Sequence, residues 1–496
     1  MNLSLIQMEK KDDERILNLY EYANQEKFDG DAELLEAFLD DIWTKRPRLP
    51  LNYFDISDED EYDPSISSHQ NFITFLKDSN IKSRKYVGII KYNQFTINLL
   101  PKIFYDKETA DWSEKKIKAI QANILWWLSY CQKIKFPKTK SDLSTIKSNF
   151  FEVLIYLFAT YTKEVFNYCL YQSYTEIDNE LNFMKGRLNV KRYITDNISK
   201  ARYHKLSCIY DSFEFDNPFN RIIKSVANIL IGTTENSENK QLLSEIIFIL
   251  DEVSDIKAKY SDCEKVKLNP LYEDMQTVLD YCKLFLANSL TFSYKNQFRV
   301  FAFLLPMEYV FEDFIFGFME KHLKDIQGIE NLRFQKSDLY LAKLHENNVF
   351  NLQHDIYFEY YGKKIIADTK YKIIYSPKKS SKYKDYKHGV SQSDLYQVVS
   401  YSIRRKAKDI FLIYPQTLIE QKGGIRDETI TFKITDEFAE TNINVNVVKV
   451  PVIYNNFPEI DQTQSLQRNF APTERTLKDK LCNVFNINDN INPFKA

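Results

Sequence analysis

The 496-residue sequence predicts a multidomain α+β or α/β protein: an N-terminal α/β region, a mainly helical middle region, and a C-terminal domain with a mixed central sheet flanked by helices. Three observations support this prediction. The chain is too long for a single hydrophobic core, since cores stop growing beyond about 250–300 residues. Apolar residues recur at helical spacing over much of residues 111–290. Between residues 354 and 370, side chains of two kinds alternate before Gly362 and β-formers resume after it at Ile365 and Ile366, which is typical of a β-hairpin.

The expected domains are residues 1–110, 111–290 and 291–455, followed by a polar tail at 456–496. Charge is distributed unevenly among them. Residues 1–70 contain 18 Asp and Glu against 7 Lys and Arg, so this stretch is strongly acidic although the whole chain has a net charge of −2. An acidic segment binds DNA poorly and suits contact with a protein, whereas the basic remainder can face a polyanion. We therefore expect the first domain to contact a partner protein.

Cysteine usage and hydropathy indicate the compartment. Six cysteines are scattered along the chain without a C-x-x-C pair, which predicts free thiols in a reducing compartment and no zinc knuckle. The N-terminus has no apolar signal core. Polar residues interrupt the most apolar helical stretch, residues 117–131, so no membrane-spanning segment is predicted. We expect a cytoplasmic protein that does not associate with membranes.

Secondary structure follows from apolar spacing and turn residues along the chain. The expected elements are helical structure over residues 1–50, a hairpin over 86–100 that turns at Asn93, helices over most of 112–287, an amphipathic helix over 307–325, a buried strand at 410–414 and further strands over 429–452. The helix over 307–325 presents an apolar face and carries Glu308 and Glu312 on its other flank.

The hairpin predicted over residues 354–370 concentrates charged side chains. It turns at Tyr361 and Gly362, which places Asp355 opposite Asp368 on the neighbouring strand, where paired Cβ atoms are about 4.5–5.5 Å apart. Two adjacent carboxylates repel each other, so one of them acquires a raised pKa unless a cation lies between them. The alternative is a surface hairpin whose charges merely face water.

A magnesium or manganese ion would relieve this repulsion. Asp355 and Asp368 are the expected carboxylate ligands, with the backbone carbonyl of Thr369 as a further ligand. Lys370 shares a face of the strand with Asp368, because strand residues two apart point the same way. Its ammonium can orient or deprotonate a metal-bound water, or stabilise a pentacovalent phosphate. The predicted chemistry is metal-assisted hydrolysis of a phosphodiester.

A helix is predicted after the hairpin, with Ser391 as its N-cap. Asp394, Gln397 and Tyr401 lie on one stripe of this helix, at positions i, i+3 and i+7. A glutamine and a tyrosine one turn apart suit a set of residues that orients the catalytic groups or a phosphate. We assign Gln397 to the catalytic group and Tyr401 and Asp394 to its support.

Lysines are abundant next to the predicted site. Residues 363–387 contain nine lysines against two aspartates, with tyrosines interleaved. Lysines beside a carboxylate metal site fit sequence-independent contact with the DNA backbone. The expected DNA contacts are Lys372, Lys378, Lys379, Lys382 and Lys384.

The order of these features resembles the PD-(D/E)xK nucleases, in which a carboxylate and a hairpin are followed by Asp-x-Lys and by a helix with Gln-x-x-x-Tyr. His354 stands where that superfamily usually has proline, a position that shapes the entry to the strand and is not a ligand. The resemblance implies the mixed sheet flanked by helices. It also makes Glu312 a candidate, since the helix before the hairpin often donates a further acid in this class. An exposed glutamate without a role is the alternative.

Several stretches also resemble, in the same order, the McrC family of nuclease subunits of McrBC 5-methylcytosine restriction systems. The resemblance runs over roughly residues 80–455. Its pieces are Gly88-Ile89-Ile90 with Ile97 to Ile103, Lys185-Gly186-Arg187-Leu188, Asp216 with Asn220-Arg221, Phe311-Glu312, the Asp355 hairpin, Asp368 to Lys372, and Asp394-Leu395-Tyr396-Gln397 with Tyr401. It implies that Asp355, Asp368 and Lys370 are catalytic, together with Glu312 and Gln397.

The McrC resemblance also implies a partner. McrC-like proteins insert their N-terminal region into the pore of a hexameric McrB AAA+ GTPase that recognises modified DNA, and stimulate its hydrolysis. This chain contains no G-x-x-x-x-G-K-[ST] motif, so any NTPase is another chain. We expect a Mg²⁺-dependent endodeoxyribonuclease subunit of a modification-dependent, anti-phage restriction system. The alternatives are a non-catalytic activator of an AAA+ NTPase and a nuclease that acts alone or on RNA.

Overall fold

A computed structural model describes residues 15–45, 70–107, 114–132, 150–268, 273–293, 299–345, 347–374, 386–423, 429–436, 441–461 and 464–487. The chain divides into two compact units. The first unit is Met1–Phe151 together with Leu290–Ala496, and the second unit is Glu152–Ser289.

The strands are, in chain order, β1 (Arg15–Tyr20), β2 (Glu26–Lys27), β3 (Ile73–Phe75), β4 (Asn80–Ser83), β5 (Tyr86–Tyr92), β6 (Phe95–Leu100), β7 (Ser173–Leu181), β8 (Arg187–Leu188), β9 (Leu206–Glu214), β10 (Ser289–Ser293), β11 (Arg299–Pro306), β12 (Ile329–Leu344), β13 (Asn347–Tyr360), β14 (Lys363–Thr369), β15 (Asp409–Pro415), β16 (Ile430–Asp436) and β17 (Thr441–Val450).

The helices are α1 (Ala32–Lys45), α2 (Glu114–Leu128), α3 (Phe150–Tyr168), α4 (Val190–Arg192), α5 (Pro218–Ile231), α6 (Ser237–Ile249), α7 (Tyr260–Lys265), α8 (Glu273–Asn288), α9 (Met307–Leu323), α10 (Gln392–Arg405), α11 (Leu418–Gly423) and α12 (Leu466–Phe485). Short 3-10 turns follow β6 at Lys102–Phe104 and α4 at Ile198–Lys200.

The N-terminal part of the first unit is built on a sheet of order β1-β6-β5-β11-β10. The predicted hairpin of β5 and β6 is confirmed, and Asn93 takes the left-handed conformation in its turn. Residues 1–50 were expected to be helical; residues 32–45 form α1, but residues 15–20 form β1, parallel to β6. That part of the helical prediction is wrong, because the ladder to a strand 80 residues away satisfies the backbone of β1, and local spacing carries no trace of such a partner.

The C-terminal part of the first unit contains a mixed sheet of order β12-β13-β14-β15-β17-β16. β14, β15 and β17 run parallel, whereas β12, β13 and β16 pair antiparallel with their neighbours. Helix α10 covers one face, where Val398 packs in one cluster with Ile366 and Leu412. Helix α12 covers the other face through Phe485, whose ring contacts Phe358 and Phe411. The predicted mixed sheet flanked by helices is confirmed.

The middle of the chain is less helical than predicted. Alongside helices α3 and α5 to α8, the second unit contains a sheet of order β7-β9-β8, in which residues 173–181 pair with 206–214. The prediction of a mainly helical region is therefore wrong for these residues. Six of the nine residues of β7 are polar, so its sequence lacks the apolar alternation that identifies a half-buried strand.

The segment predicted as a polar tail contains the 20-residue helix α12. Its polar average conceals one apolar stripe, which includes the buried Leu477 and Leu481. Phe470 stacks on Trp126 of α2 with a centroid distance of 4.8 Å. This packing of α2 brings a helix from the predicted middle region into the first unit. Among the described residues, no helix is long and apolar enough to cross a membrane.

We predict that Gly317→Ala destabilises the first unit by about 1–3 kcal/mol, the usual cost of overpacking a core. Gly317 lies in α9 where the backbone following α2 passes closely, and a Cβ atom there would lie 1.9 Å from the carbonyl oxygen of Tyr130. Differential scanning calorimetry measures the effect.

The matched control is Gly232→Ala at the end of α5, where an added Cβ atom would have its nearest neighbour at 3.5 Å. This change should alter stability by less than about 1 kcal/mol. Equal effects of the two substitutions would contradict the prediction.

Candidate active site

The β13–β14 hairpin places the two predicted carboxylates opposite each other. Tyr361 and Gly362 form its turn with φ values of 46° and 75°, the left-handed conformations that a two-residue hairpin turn requires. The register pairs Ile356 with Ala367. Continuing this register by one residue brings Asp355 opposite Asp368, as the sequence predicted.

Asp355 is partly buried and is held by the strand opposite. Its Oδ2 accepts hydrogen bonds from the backbone N–H and the hydroxyl of Thr369, each at 2.7 Å. Burial raises the pKa of Asp355 to about 7, and the negative charge of Glu312 acts in the same direction. The Lys370 ammonium and the two hydrogen bonds from Thr369 oppose that rise.

Asp368 is almost completely buried, with 1% of its surface exposed. Its Oδ2 lies 2.8 Å from the ammonium nitrogen of Lys370. No described residue donates a hydrogen bond to the buried Oδ1. Burial raises the pKa of Asp368 to about 7; the ammonium of Lys370 lowers it, and the charge of Asp355 adds to the rise. The alternative of a hairpin whose charges merely face water is excluded for this residue.

A chain of hydrogen bonds connects Lys370 with helix α10. The Lys370 ammonium donates to Gln397 Oε1 at 3.0 Å, and Gln397 Nε2 donates to the Tyr401 hydroxyl at 2.8 Å. Tyr401 in turn donates to the carbonyl of Gln353 on β13 at 2.6 Å. Burial lowers the pKa of Lys370, but the carboxylates of Asp368 and Asp355 raise it by more, so this side chain stays protonated. The Lys370 ammonium is therefore held by Asp368 on β14 and by Gln397 on α10.

The predicted support residue Asp394 holds a second lysine. Its two carboxylate oxygens accept hydrogen bonds from the Lys372 ammonium at 2.9 and 3.1 Å. The hydroxyl of Tyr414 lies 3.4 Å from the same carboxylate. Ser391 caps the helix as predicted, accepting from the Asp394 backbone N–H. The Lys372 ammonium is thus paired with the Asp394 carboxylate. Its role in DNA contact stays a prediction. Lys378, Lys379, Lys382 and Lys384 lie outside the described residues.

Glu312 lies close enough to the hairpin for its charge to affect the Asp355 carboxyl group. It lies on α9, partly buried, and its charge helps to raise the pKa of Asp355. Its Oε1 accepts a hydrogen bond from Gln335 Nε2 at 2.8 Å. Glu312 is therefore half-buried, not exposed as the alternative had it, and its catalytic role stays a prediction.

The donor set fits a hard divalent cation. Asp355 and Asp368 supply two carboxylates with raised pKa values, and one buried carboxylate oxygen of Asp368 has no hydrogen-bond donor among the described residues. Within that same part of the chain, no group of three or more His, Cys, Asp or Glu side chains could hold a metal. Mg²⁺ is commonly bound through one or two carboxylates plus waters, so two carboxylates suffice.

Three contacts of the site were not predicted from the sequence. The Thr369 side chain holds Asp355, the Gln353 carbonyl anchors Tyr401, and the Ile413 carbonyl accepts from the Lys370 backbone N–H at 2.8 Å. Backbone carbonyls carry no side-chain signal in a sequence. Thr369 was singled out, but only for its carbonyl.

A cavity of about 490 Å³ lies at the other end of β14. Tyr361, Lys363 and Asp409 are among the residues that line it. It contains none of the predicted site residues, so it does not belong to the acid–lysine centre.

In the second unit, two residues of the McrC-like pattern form an ion pair. Asp216 accepts hydrogen bonds from Arg221 Nε at 2.6 Å and from Arg221 Nη2 at 2.9 Å. Asp216 also accepts from the backbone N–H and the hydroxyl of Ser254. This arrangement lowers the pKa of Asp216, chiefly through the hydrogen bond with Arg221. The ion pair therefore connects the first turn of α5 with the segment that precedes it.

The small sheet of the second unit exposes aromatic side chains. Tyr174 on β7 and Phe213 on β9 are directly paired, with a centroid distance of 5.1 Å, and are 75% and 55% exposed. Adjacent exposed aromatic side chains of this kind can mark an interaction surface. We refer to Tyr174 and Phe213 as the aromatic surface.

A mixed sheet with a buried acid–acid–lysine centre, joined to a second unit with an open aromatic surface, defines a multidomain α+β protein with a candidate hydrolytic site. The chain belongs to the family of McrBC 5-methylcytosine restriction system components, whose sequence model matches residues 81–415. No curated protein matches the chain.

Two solved structures are similar to this chain. One is a chain of the refined half-complex from the tetradecameric assembly of Thermococcus gammatolerans McrB AAA+ hexamers with bound McrC; it is 19% identical, with a TM-score of 0.59, over 95% of this chain and 100% of that one. The other is a chain of the Thermococcus gammatolerans McrBC complex, 21% identical with a TM-score of 0.44, over 64% of this chain and 89% of that one. The first similarity supports the shared fold.

The two raised carboxyl pKa values predict how stability depends on pH in the metal-free protein. Folded Asp355 and Asp368 keep protons up to about pH 7, whereas unfolded aspartate releases its proton near pH 4. The free energy of unfolding should therefore fall between pH 4 and pH 7 on account of these groups. Asp368→Asn should reduce that fall by about 1 kcal/mol or more, since one pKa unit corresponds to about 1.4 kcal/mol.

Urea denaturation in EDTA at several pH values measures this effect. Asp325→Asn, which changes an exposed aspartate just after α9, is the matched control and should leave the pH profile unchanged. Identical profiles for wild type and Asp368→Asn would contradict the prediction.

Proposed function

We propose that this chain is the nuclease subunit of a modification-dependent restriction system and hydrolyses DNA phosphodiesters with Mg²⁺ in a PD-(D/E)xK domain. The observation that carries the proposal is the proximity of Asp355 to the buried Asp368, whose Oδ2 lies 2.8 Å from the Lys370 ammonium. Burying two facing carboxylates costs free energy, and a structural role would be served as well by apolar residues. Membership of the McrBC family supports a role in restriction.

Asp355, Asp368 and the Thr369 carbonyl would hold the ion. When bound, Mg²⁺ supplies charge stabilisation and a more acidic water. Mn²⁺ would fit the same donors. The hydrogen bonds from Thr369 keep the Asp355 carboxylate turned toward the opposite strand, so it is oriented before an ion arrives.

Lys370 acts as a cation in this proposal. Its pKa is raised above the ordinary value by the two carboxylates, so it donates hydrogen bonds and does not accept a proton while it contacts them. The ammonium would orient the attacking water or stabilise the charge on the phosphate oxygens. Gln397 and Tyr401 keep it in place, and Glu312 supplies further negative charge beside Asp355.

DNA contact would come from the lysines that follow β14. Lys372 lies beside the site, and Lys378, Lys379, Lys382 and Lys384 follow it in the chain. Ammonium groups bind phosphates without regard to base sequence, so these residues would position the backbone. Recognition of the modified base is then left to another chain.

The other chain would be a McrB-like AAA+ GTPase hexamer. The chain with the same fold comes from an assembly of McrB AAA+ hexamers with bound McrC. We propose the aromatic surface as a contact with this partner, because exposed aromatic residues are enriched in protein interfaces. The acidic N-terminal region remains a second proposed contact.

We predict that Asp368→Ala and Lys370→Met each lower DNA cleavage at least 10²–10³-fold, the usual cost of losing one group that stabilises transition-state charge. The assay uses DNA that contains 5-methylcytosine, Mg²⁺, the AAA+ partner and GTP or ATP. Partner, nucleotide and metal should each be required.

The matched control for cleavage is Asp325→Asn, which should cut like wild type. Both active-site variants should still stimulate the partner's nucleotide hydrolysis. Cleavage by Asp368→Ala at the wild-type rate would contradict the assigned site. Wild-type stimulation of hydrolysis without any cleavage would favour the non-catalytic activator, and cleavage without the partner would favour a nuclease that acts alone.

We predict that the double change Tyr174→Ser and Phe213→Ser raises the concentration needed for half-maximal stimulation of the partner at least about tenfold, which corresponds to about 1.4 kcal/mol of binding free energy. Aromatic residues often carry most of the binding energy of an interface. A titration of the partner's hydrolysis rate measures the shift.

Phe248→Ser is the control for this surface, since Phe248 is an 80% exposed aromatic residue on α6 of the same unit. It should leave stimulation unchanged. If the control and the double change behave alike, the aromatic surface is not the contact.

A further inference from the structure

We propose that Lys102 and Glu21 of the N-terminal sheet are positioning residues for the candidate active site and act through Tyr371. The inference rests on the proposed nuclease function, because it concerns how Lys370 is held. It also gives a role to the segment around Pro101 and Lys102, which follows β6 and has no place in the site itself. We refer to Glu21, Lys102 and Tyr371 as the clamp.

Tyr371 anchors the segment that carries both site lysines. It lies between Lys370 and Lys372, and its side chain is buried, with 3% exposed. Its ring contacts Phe311 of α9 at a centroid distance of 5.7 Å. The Lys102 ammonium nitrogen lies 4.5 Å from the centroid of the same ring, well within the range of a cation–π interaction.

Glu21 holds Lys102 in this position. The parallel pairing of β1 with β6 matches Tyr20 with Leu100, so the residues just beyond both strands come together. The buried Glu21 accepts a hydrogen bond from the Lys102 backbone N–H at 3.2 Å, and its own N–H donates to the Leu100 carbonyl at 3.0 Å. The Glu21 carboxylate interacts electrostatically with the Lys102 ammonium and with the Tyr371 hydroxyl.

Other contacts also hold the lysine segment. The backbone N–H groups of Lys370 and Lys372 donate to the carbonyls of Ile413 and Lys370, each at 2.8 Å. The Lys370 ammonium contacts Asp368 and Gln397. These contacts leave the backbone between the two lysines anchored through Tyr371, so loss of the clamp would let this backbone and the Lys370 ammonium shift. A displacement of about 1 Å can cost about 10²-fold in rate. We therefore expect a loss in the chemical step and not in DNA binding.

The test is steady-state DNA cleavage by the complete complex with Lys102→Met, which removes the cation and keeps an apolar stem. We expect kcat to fall about 10- to 100-fold while KM for DNA changes less than about twofold. Lys102→Arg keeps a cation over the ring and should stay within about threefold of wild type. Lys77→Met, an exposed lysine between β3 and β4, is the matched control and should match wild type.

Hydrogen–deuterium exchange of the same variants gives a readout that does not need cleavage. The Lys370 and Lys372 amides should exchange faster in Lys102→Met by about tenfold or more, and at the wild-type rate in Lys77→Met. Wild-type kcat and exchange in Lys102→Met would overturn the proposal. So would a parallel loss of kcat, of partner stimulation and of thermal stability, because that outcome indicates general unfolding.

These readouts separate the two proposals. If the wild-type complex does not cleave DNA, the nuclease function fails. The exchange comparison still decides on the clamp in that case: faster exchange confined to the lysine segment supports it, and equal exchange overturns it.

Discussion

Two carboxylates, Asp355 and Asp368, face each other on adjacent strands beside the Lys370 ammonium, and Asp368 is nearly inaccessible to water. Desolvation makes such a pair costly, and the cost appears as pKa values raised to about 7. One ammonium offsets only part of it. The neighbouring elements keep the three groups together, and the remaining negative charge suits a divalent cation.

Helix α10 contacts both lysines that follow the β13–β14 hairpin. Lys370 meets Gln397, and Lys372 meets Asp394. β14 ends at Thr369, and both lysines lie in the turn that follows it, where the Lys372 N–H donates to the Lys370 carbonyl at 2.8 Å. Three residues along a helix advance about 4.5 Å, so a single helix can contact both lysines.

The N-terminal sheet and the candidate site are structurally continuous. β11 ends at Pro306 and α9 begins at Met307, so no loop separates the sheet from the helix that carries Phe311 and Glu312. Glu21 and Lys102 approach the site from the same sheet. The segment that follows β6 therefore contacts the lysine segment directly, through Lys102 and Tyr371.

The sequence by itself determined the local features. The turn at Tyr361 and Gly362, the pairing of Asp355 with Asp368, the Ser391 cap and the stripe on α10 all follow from the short-range periods of strands and helices. The amphipathic helix α9 was predictable for the same reason. These features depend on contacts between residues close in the chain, or on a single hairpin.

Only the tertiary structure decided the rest. Residues 15–20 are a strand because β6, far along the chain, completes their hydrogen bonds, and β7 pairs with β9 although its faces are mostly polar. Glu312 reaches Asp355, and Lys102 reaches Tyr371, through the packing of separate elements. The burial that raises the carboxyl pKa values is likewise a property of the packed sheet and helices. Short-range spacing contains no information about such distant partners, because they are selected by the apolar surface and hydrogen bonds of the whole fold.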